Sequence, residues 1–226
     1  MAPKKKIEQL HSDYLNVFRP YGPSAFWEDN LTGALASYLA NSDRHTRWQF
    51  VKKFISGGET RAVGDFEVIV HREITNNTLC DVPESRRFVT FLRPDDLFRE
   101  FHMDIFKESE ESKSIPDLCL VNQKARLMLV LEIKVKKSAD EYLESQLAKH
   151  ANNCGGKPIR DPMVSLEDIH DWLTNPVSAK ESEIICFLRT QLAEYFEQMG
   201  LSKKNCFNNK DLEVCERQKE VDFRHP

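Results

Sequence analysis

The chain has 226 residues with 36 acidic and 32 basic side chains, which give a formal net charge of −4. This length is enough for one domain with a hydrophobic core, and the slightly negative charge argues against a strongly basic surface over the whole molecule. The six cysteines include no Cys-x-x-Cys pair, so the sequence predicts neither a zinc site nor a disulfide framework.

Composition also predicts the domain limits and the compartment. We expect a single domain over residues 1–200 and a polar C-terminal extension over residues 201–226. The basic stretch Met1–Lys6 is not followed by the apolar segment of a signal peptide, and no apolar run approaches the length that spans a membrane. We therefore expect a cytoplasmic protein with no membrane partner.

The N-terminal third predicts three helices and one strand. Apolar residues at helical spacing favour helices over Ile7–Phe18, Ser24–Ala40 and Arg44–Ile55, and alternation favours a strand over Phe66–Ile74. His71 stands alone near the end of this strand. We therefore predict that it is a structural residue rather than a ligand.

Glu28 is an acidic residue on the apolar side of the second predicted helix, because it precedes Leu31 by three residues and Leu35 by seven. One interpretation is a carboxylate that faces a functional site. The other is a favourable partner for the helix dipole, since acidic residues stabilise the first turn of a helix. The spacing alone leaves both open.

The middle of the chain predicts a short strand over Phe88–Leu92 and a helix that opens at Pro94. A polar connector over Glu108–Ser114 leads to two further strands, Ile115–Val121 and Leu127–Val135, separated by a turn. The last of these is nearly continuous in aliphatic residues. We therefore predict that it is buried on both faces of a sheet.

Side-chain alternation predicts that these two strands bring two acids together. If Gln123–Arg126 form a four-residue hairpin loop, Asp117 lies opposite Glu132, and Lys134 follows on the same face as Glu132. Directly opposed β-carbons are about 4.5–5.5 Å apart, and two carboxylates at that separation raise one another's pKa. A divalent cation such as Mg²⁺ removes this conflict. The alternative is that Glu132 and Lys134 are the solvated end of an ordinary strand.

The Pro-Asp pair at Asp117, followed by Glu132-Ile133-Lys134 at the end of a hydrophobic strand, resembles the motif of the PD-(D/E)XK nuclease superfamily. The resemblance implies an α/β fold of the restriction-endonuclease type, in which a small mixed sheet with a motif-bearing hairpin is flanked by helices. It implies Asp117, Glu132 and Lys134 as catalytic residues. It also implies Asp117, Glu132, the carbonyl of Ile133 and Glu28 as ligands of Mg²⁺ or Mn²⁺.

The polar helical stretch after the hairpin carries candidate substrate contacts. Gln146 and His150 are four residues apart and share a helix face. The RecB-like branch of the superfamily has Gln-x-x-x-Tyr in this place, so this chain departs from it by having His150 where the branch has Tyr. The resemblance implies Gln146 and His150 as substrate-binding residues, and Lys136 contributes to a local positive patch. A solvated helix surface is the alternative.

The C-terminal third lacks a convincing run for the strand that usually follows this helix in the superfamily, and Lys157–Val164 is the best candidate. A capping box at Ser165 predicts a helix to Thr174. The longest amphipathic helix, Glu181–Met199, is predicted to end at Gly200. Its apolar stripe, which includes Ile184, is either part of the core or the face of a homodimer.

These observations predict a metal-dependent endo- or exonuclease that hydrolyses phosphodiester bonds, with DNA favoured over RNA, in defence, restriction or repair. The alternative is a catalytically inactive domain of the same fold that binds nucleic acid or a protein partner. The sequence has no Gly-rich phosphate loop, no Gly-x-Ser-x-Gly and no His-Glu-x-x-His, which leaves other standard chemistries unsupported.

Overall fold

A computed structural model describes residues 27–55, 64–71, 73, 82–95, 115–135, 140–159, 163–175 and 181–203. The helices in these ranges are α1 (Trp27–Asn41), α2 (Arg44–Phe54), α3 (Asp140–Cys154), α4 (Leu166–Thr174) and α5 (Glu183–Gln198). The strands are β1 (Glu67–Val70), β2 (Arg87–Leu92), β3 (Leu118–Asn122), β4 (Leu127–Ile133) and β5 (Lys157–Pro158). The predicted helix over Ile7–Phe18 and the predicted substrate contact Lys136 lie outside the described residues.

The five strands form one mixed sheet in the order β1-β3-β4-β2-β5. β3 pairs antiparallel with both β1 and β4, whereas β2 pairs parallel with both β4 and β5. Helices flank this sheet on both faces, so the predicted α/β class and mixed sheet are confirmed. No helix among the described residues is both long enough and apolar enough to cross a membrane.

The hairpin between β3 and β4 has the predicted register. Val121 pairs with Met128 and Cys119 pairs with Val130, across a turn over residues 123–126. The side-chain oxygen of Asn122 accepts a hydrogen bond from the backbone N–H of Ala125 at 2.9 Å, which stabilises the turn. Because four residues connect the strands, the pairing places the last residues of β4 beside the first residues of β3.

Both faces of β4 are covered, and all seven of its residues are buried, as its continuous hydrophobicity predicts. On one face, Leu129 and Leu131 belong to a core that includes side chains of α1, α2, α4 and α5. On the other face, Met128 and Val130 pack with Leu143 and Leu147 of α3. A strand covered in this way has no alternation in hydropathy, so its one buried acid, Glu132, stands out.

The C-terminal third completes the sheet and its cover. The weakly predicted strand is present as the two-residue β5, which pairs with β2 beyond the glycines that end α3. The capping box that opens α4 is confirmed, because Ser165 and Asp168 exchange side-chain-to-backbone hydrogen bonds. The backbone N–H of Leu201 donates to the carbonyl of Phe196 at 2.9 Å, which folds the buried Leu201 back onto α5. Leu201, the first residue after the predicted boundary, is therefore packed against α5.

The apolar stripe predicted for α5 is only partly buried. Leu192, Tyr195 and Phe196 lie in the core, whereas Ile184 is 72% exposed and Phe187 is 51% exposed. If the stripe belongs to the core, the prediction is therefore wrong for Ile184, because its side chain is exposed. In the first half of α5, Ile185 and Leu188 are partly buried against the core, whereas Ile184 and Phe187 lie on the exposed side of the helix.

Gly156 lies where α3 meets the sheet, and it has no space for a side chain. A β-carbon at this position would lie 2.8 Å from Cys154 Sγ and 2.9 Å from Val89 Cγ2. We expect Gly156→Ala to lower the free energy of unfolding by about 1–3 kcal/mol, because overpacking forces neighbouring side chains to move. Urea denaturation measures this change.

Gly33 provides the matched control, because a β-carbon there meets no atom within 4 Å and the residue lies inside α1. Gly33→Ala is expected to raise the free energy of unfolding by about 0.5–1 kcal/mol, since alanine is the better helix former. Equal stability of Gly156→Ala and the parent would mean that α3 does not pack as closely as described.

Candidate catalytic centre at the end of the motif hairpin

The two acids of the motif lie on neighbouring strands at one edge of the hairpin. Leu118 pairs with Leu131, and one step further along the same register Asp117 faces Glu132. Asp117 Oδ2 accepts a hydrogen bond of 2.7 Å from the backbone N–H of Ile133, which holds this carboxylate against β4. The predicted convergence of Asp117 and Glu132 is therefore present in the structure.

Glu132 is a buried carboxylate with both oxygens engaged. Its Oε1 lies 2.9 Å from Lys134 Nζ, and its Oε2 lies 2.9 Å from His150 Nε2. Strand alternation directs Glu132 toward the face that α3 covers, and α3 supplies His150, which is itself buried. His150 thus lies at the centre as a partner of Glu132, at a position remote from solvent.

Glu28 reaches the same centre from the first turn of α1. Its Oε1 accepts a hydrogen bond of 3.2 Å from the backbone N–H of Val135, and its Oε2 lies 3.6 Å from Lys134 Nζ. The interpretation of Glu28 as a carboxylate that faces the site agrees with this geometry. Lys134 therefore lies between two carboxylates and is largely buried.

The pKa of Asp117 is raised from its ordinary value to about 6. Burial is the main cause and the negative charge of Glu132 is the second, and both outweigh the hydrogen bond from Ile133. Asp117 is therefore the acid whose negative charge is least compensated by the residues around it.

Glu132 and Lys134 behave differently, because each has a close partner of opposite charge. Burial acts to raise the pKa of Glu132, but the hydrogen bonds and charges of His150 and Lys134 outweigh it and lower that pKa. Burial acts to lower the pKa of Lys134, but Glu132 and Glu28 outweigh it and raise that pKa. Both groups are therefore charged at neutral pH.

The donor chemistry of the centre fits a hard divalent cation. Three carboxylates, from Glu28, Asp117 and Glu132, share the centre with one ammonium group, so the centre carries excess negative charge when its histidines are neutral. Carboxylate oxygens and a backbone carbonyl such as that of Ile133 are the ligands that Mg²⁺ prefers. Within the described ranges, however, no three His, Cys, Asp or Glu side chains are already grouped as a metal site.

His71, predicted from the sequence to be a structural residue, lies at the centre beside Asp117. Its backbone N–H donates to the carbonyl of Asp117 at 3.3 Å, and its ring Nδ1 lies 3.9 Å from Asp117 Oδ1. The pairing of Val70 with Leu118 continues to His71 and Asp117. The alternation of β1 predicts which face of the sheet His71 lies on. Only the register between β1 and β3 shows that His71 lies beside Asp117.

Gln146 lies one helical turn from His150 on α3. Its Nε2 donates a hydrogen bond of 3.2 Å to the hydroxyl of Tyr142, one turn earlier. Its Oε1 is buried and has no hydrogen-bond partner among the described residues. Gln146 therefore shares the helix face of His150, as predicted, and its contact with a substrate stays a prediction.

Comparison of the chain with known protein families, with curated proteins and with solved structures gave no significant match. The structure by itself defines an α/β protein with a helix-flanked mixed sheet and a partly buried cluster of three acids and one lysine at the end of a hairpin. The PD-(D/E)XK resemblance remains a prediction from the sequence.

Proposed function

We propose that this chain is a divalent-metal-dependent nuclease of the PD-(D/E)XK type, which hydrolyses phosphodiester bonds with DNA favoured over RNA. One observation carries the proposal. Asp117 and Glu132 meet across neighbouring strands in a mostly buried setting, where the charge of Glu132 helps to raise the pKa of Asp117 to about 6. Burying two adjacent acids costs free energy unless their charges are compensated, so a cation ligand explains their presence.

The residues of the centre divide between holding a cation and acting on the substrate. Asp117, Glu132 and the carbonyl of Ile133 would hold Mg²⁺ or Mn²⁺. When bound, such a cation acts as a Lewis acid and lowers the pKa of a coordinated water. Lys134 donates hydrogen bonds to a phosphate oxygen or to the attacking water. Glu28 holds Lys134 near this position through the 3.6 Å ion pair.

His150 has a different role in this proposal from the substrate contact expected from the sequence. Its burial and its 2.9 Å hydrogen bond to Glu132 favour a positioning role, in which the imidazole fixes one oxygen of the carboxylate. Histidine–carboxylate contacts of this kind commonly orient metal ligands. Gln146, one turn closer to the start of α3, remains the candidate on this helix for a contact with substrate.

A second candidate is a domain of the same fold that binds nucleic acid or a protein without cleaving it. It is favoured by the engagement of both oxygens of Glu132 with Lys134 and His150. In such a protein the ammonium group of Lys134 permanently compensates the acid, and no cation is required.

Incubation with supercoiled plasmid, linear duplex and single-stranded DNA separates the two candidates. With Mg²⁺ or Mn²⁺ we expect cleavage of at least one substrate, and with EDTA we expect none. RNA of the same sequence tests the preference for DNA. Retained binding without cleavage under any of these conditions would favour the second candidate. Absence of both binding and cleavage would contradict the nuclease and leave only the protein-binding form of the second candidate.

A further inference from the structure

His71 follows β1, an edge strand of the sheet, and its backbone is strained. Its φ angle is 45°, in the left-handed region, which residues other than glycine adopt uncommonly and in which asparagine, aspartate and histidine are the most frequent. Such conformations cost free energy, and they concentrate at functional sites where the surrounding structure holds them. Here a hydrogen bond from the backbone N–H of His71 to the carbonyl of Asp117 holds this conformation, and the ring lies beside the carboxylate.

The exposure of the side chains shows from which side the centre is accessible. The exposed fraction of the side chain rises from 4% for Glu132 to 15% for Asp117 and 43% for His71. α3 packs mainly against β2 and β5, on the opposite side of the hairpin from β1. Among the described residues, solvent reaches the centre at two places, beside Glu28, which is 31% exposed, and beside His71, which forms the entrance next to Asp117.

The imidazole of His71 is suited to hold a phosphate at this entrance. Its 3.9 Å separation from Asp117 is longer than a hydrogen bond, so the contact with the carboxylate does not use a ring N–H. The ammonium of Lys134 pairs with Glu132 and Glu28, which leaves it at most one contact with a phosphate oxygen or the attacking water. A phosphate next to these acids needs a further hydrogen-bond donor, and a neutral or a charged imidazole can supply one.

We propose that His71 is a substrate-binding residue that donates a hydrogen bond to a phosphate oxygen of the nucleic acid beside Asp117. This inference rests on the proposed nuclease function, since it assumes a phosphodiester substrate at the centre. It does not require a particular protonation state of the imidazole. In this inference His71 binds the substrate, and the carboxylates bind the cation.

Substitutions that separate backbone strain from ring chemistry test the role of His71. His71→Gly removes the ring and also relieves the strain, so its melting temperature is expected to equal or exceed that of the parent. His71→Asn tolerates the left-handed backbone and retains an amide donor. His71→Ala removes the ring but keeps the strain. His45→Ala is the matched control, because it removes an exposed histidine from α2.

Binding is measured by fluorescence anisotropy of a labelled oligonucleotide in EDTA, and cleavage is measured separately with Mg²⁺. We expect His71→Gly to bind about 10- to 100-fold more weakly, the usual effect of losing a hydrogen bond to a charged group. His71→Asn should recover part of this loss, and His45→Ala should bind like the parent. In the cleavage assay, the lower kcat/KM of His71→Gly should arise mainly from a higher KM.

Two results would overturn the inference. Parent-like binding and cleavage by His71→Gly would exclude a contact with substrate. Losses that follow the melting temperature across the three His71 variants would indicate a structural role only. A parent that binds DNA but never cleaves it, with weaker binding by His71→Gly, would instead refute the nuclease and leave His71 as a phosphate contact.

Discussion

Replacing Glu132 by glutamine is expected to reduce metal-dependent cleavage by about 10³-fold, the scale seen when one electrostatic group of a catalytic centre is removed. Glutamine keeps the shape of the side chain but loses the negative charge that a divalent cation requires. It also leaves Lys134 without its closest counter-ion, at present 2.9 Å away. Single-turnover cleavage of the best DNA substrate, at saturating Mg²⁺, measures the effect.

Glu181→Gln is the matched control for this substitution. Glu181 is also a largely buried carboxylate, and it lies 2.8 Å from Arg189 Nε, away from the motif hairpin. Its replacement should lower the free energy of unfolding, because it also removes an ion pair. The rate of cleavage should stay within about twofold of the parent, as expected for a distant, independent site. If Glu132→Gln cleaves as fast as Glu181→Gln, Glu132 is not part of a catalytic centre.

Asp117→Asn is expected to stabilise the metal-free protein at neutral pH. An aspartate in the unfolded chain has a pKa near 3.8, whereas burial and Glu132 raise the pKa of Asp117 to about 6 in the folded protein. The folded state therefore binds this proton more tightly than the unfolded state. The contribution of Asp117 to stability is complete below about pH 4 and is lost as the pH rises through 6.

Asparagine is uncharged at every pH, and its oxygen can still accept the hydrogen bond from Ile133. We therefore expect the free energy of unfolding of Asp117→Asn to exceed that of the parent by about 2–3 kcal/mol above pH 7, and to converge with it below about pH 4. Urea denaturation in EDTA across this pH range measures the difference. Mg²⁺ should stabilise the parent and have little effect on the variant.

Asp65→Asn supplies a control of opposite sign. Arg47 hydrogen-bonds Asp65 and lowers the pKa of its carboxyl group, so the charged form of Asp65 favours folding. Its replacement should lower the free energy of unfolding at neutral pH. If Asp117→Asn also lowers the free energy of unfolding at neutral pH, the charge of Asp117 is already compensated. That result would contradict the need for a cation.

The local parts of the site could be predicted from the sequence. The continuous apolar run of β4, the four-residue turn and the two-residue alternation together determine which side chains of the hairpin face each other. They brought Asp117 opposite Glu132. The helical spacing of Glu28 with Leu31 similarly predicted that an acid of α1 points toward the sheet, and the structure brings it to Lys134.

The remaining parts depend on contacts between segments far apart in the chain. His71 reaches Asp117 only through the pairing of β1 with β3, and His150 reaches Glu132 only through the packing of α3 on the sheet. β5 has two residues, too few for an alternation pattern. Ile184 has the spacing of a core residue, but its side chain is exposed while the neighbouring Ile185 packs against the core. Sequence periodicity reports which face is apolar and does not report what covers it.

Diffraction from a crystal soaked with Mn²⁺, recorded at a wavelength where manganese scatters anomalously, tests the central claim most directly. The proposal predicts an anomalous peak between the carboxylates of Asp117 and Glu132 that disappears in the Asp117→Asn variant. A well-ordered centre without a peak, with Lys134 still bound to Glu132, would contradict it.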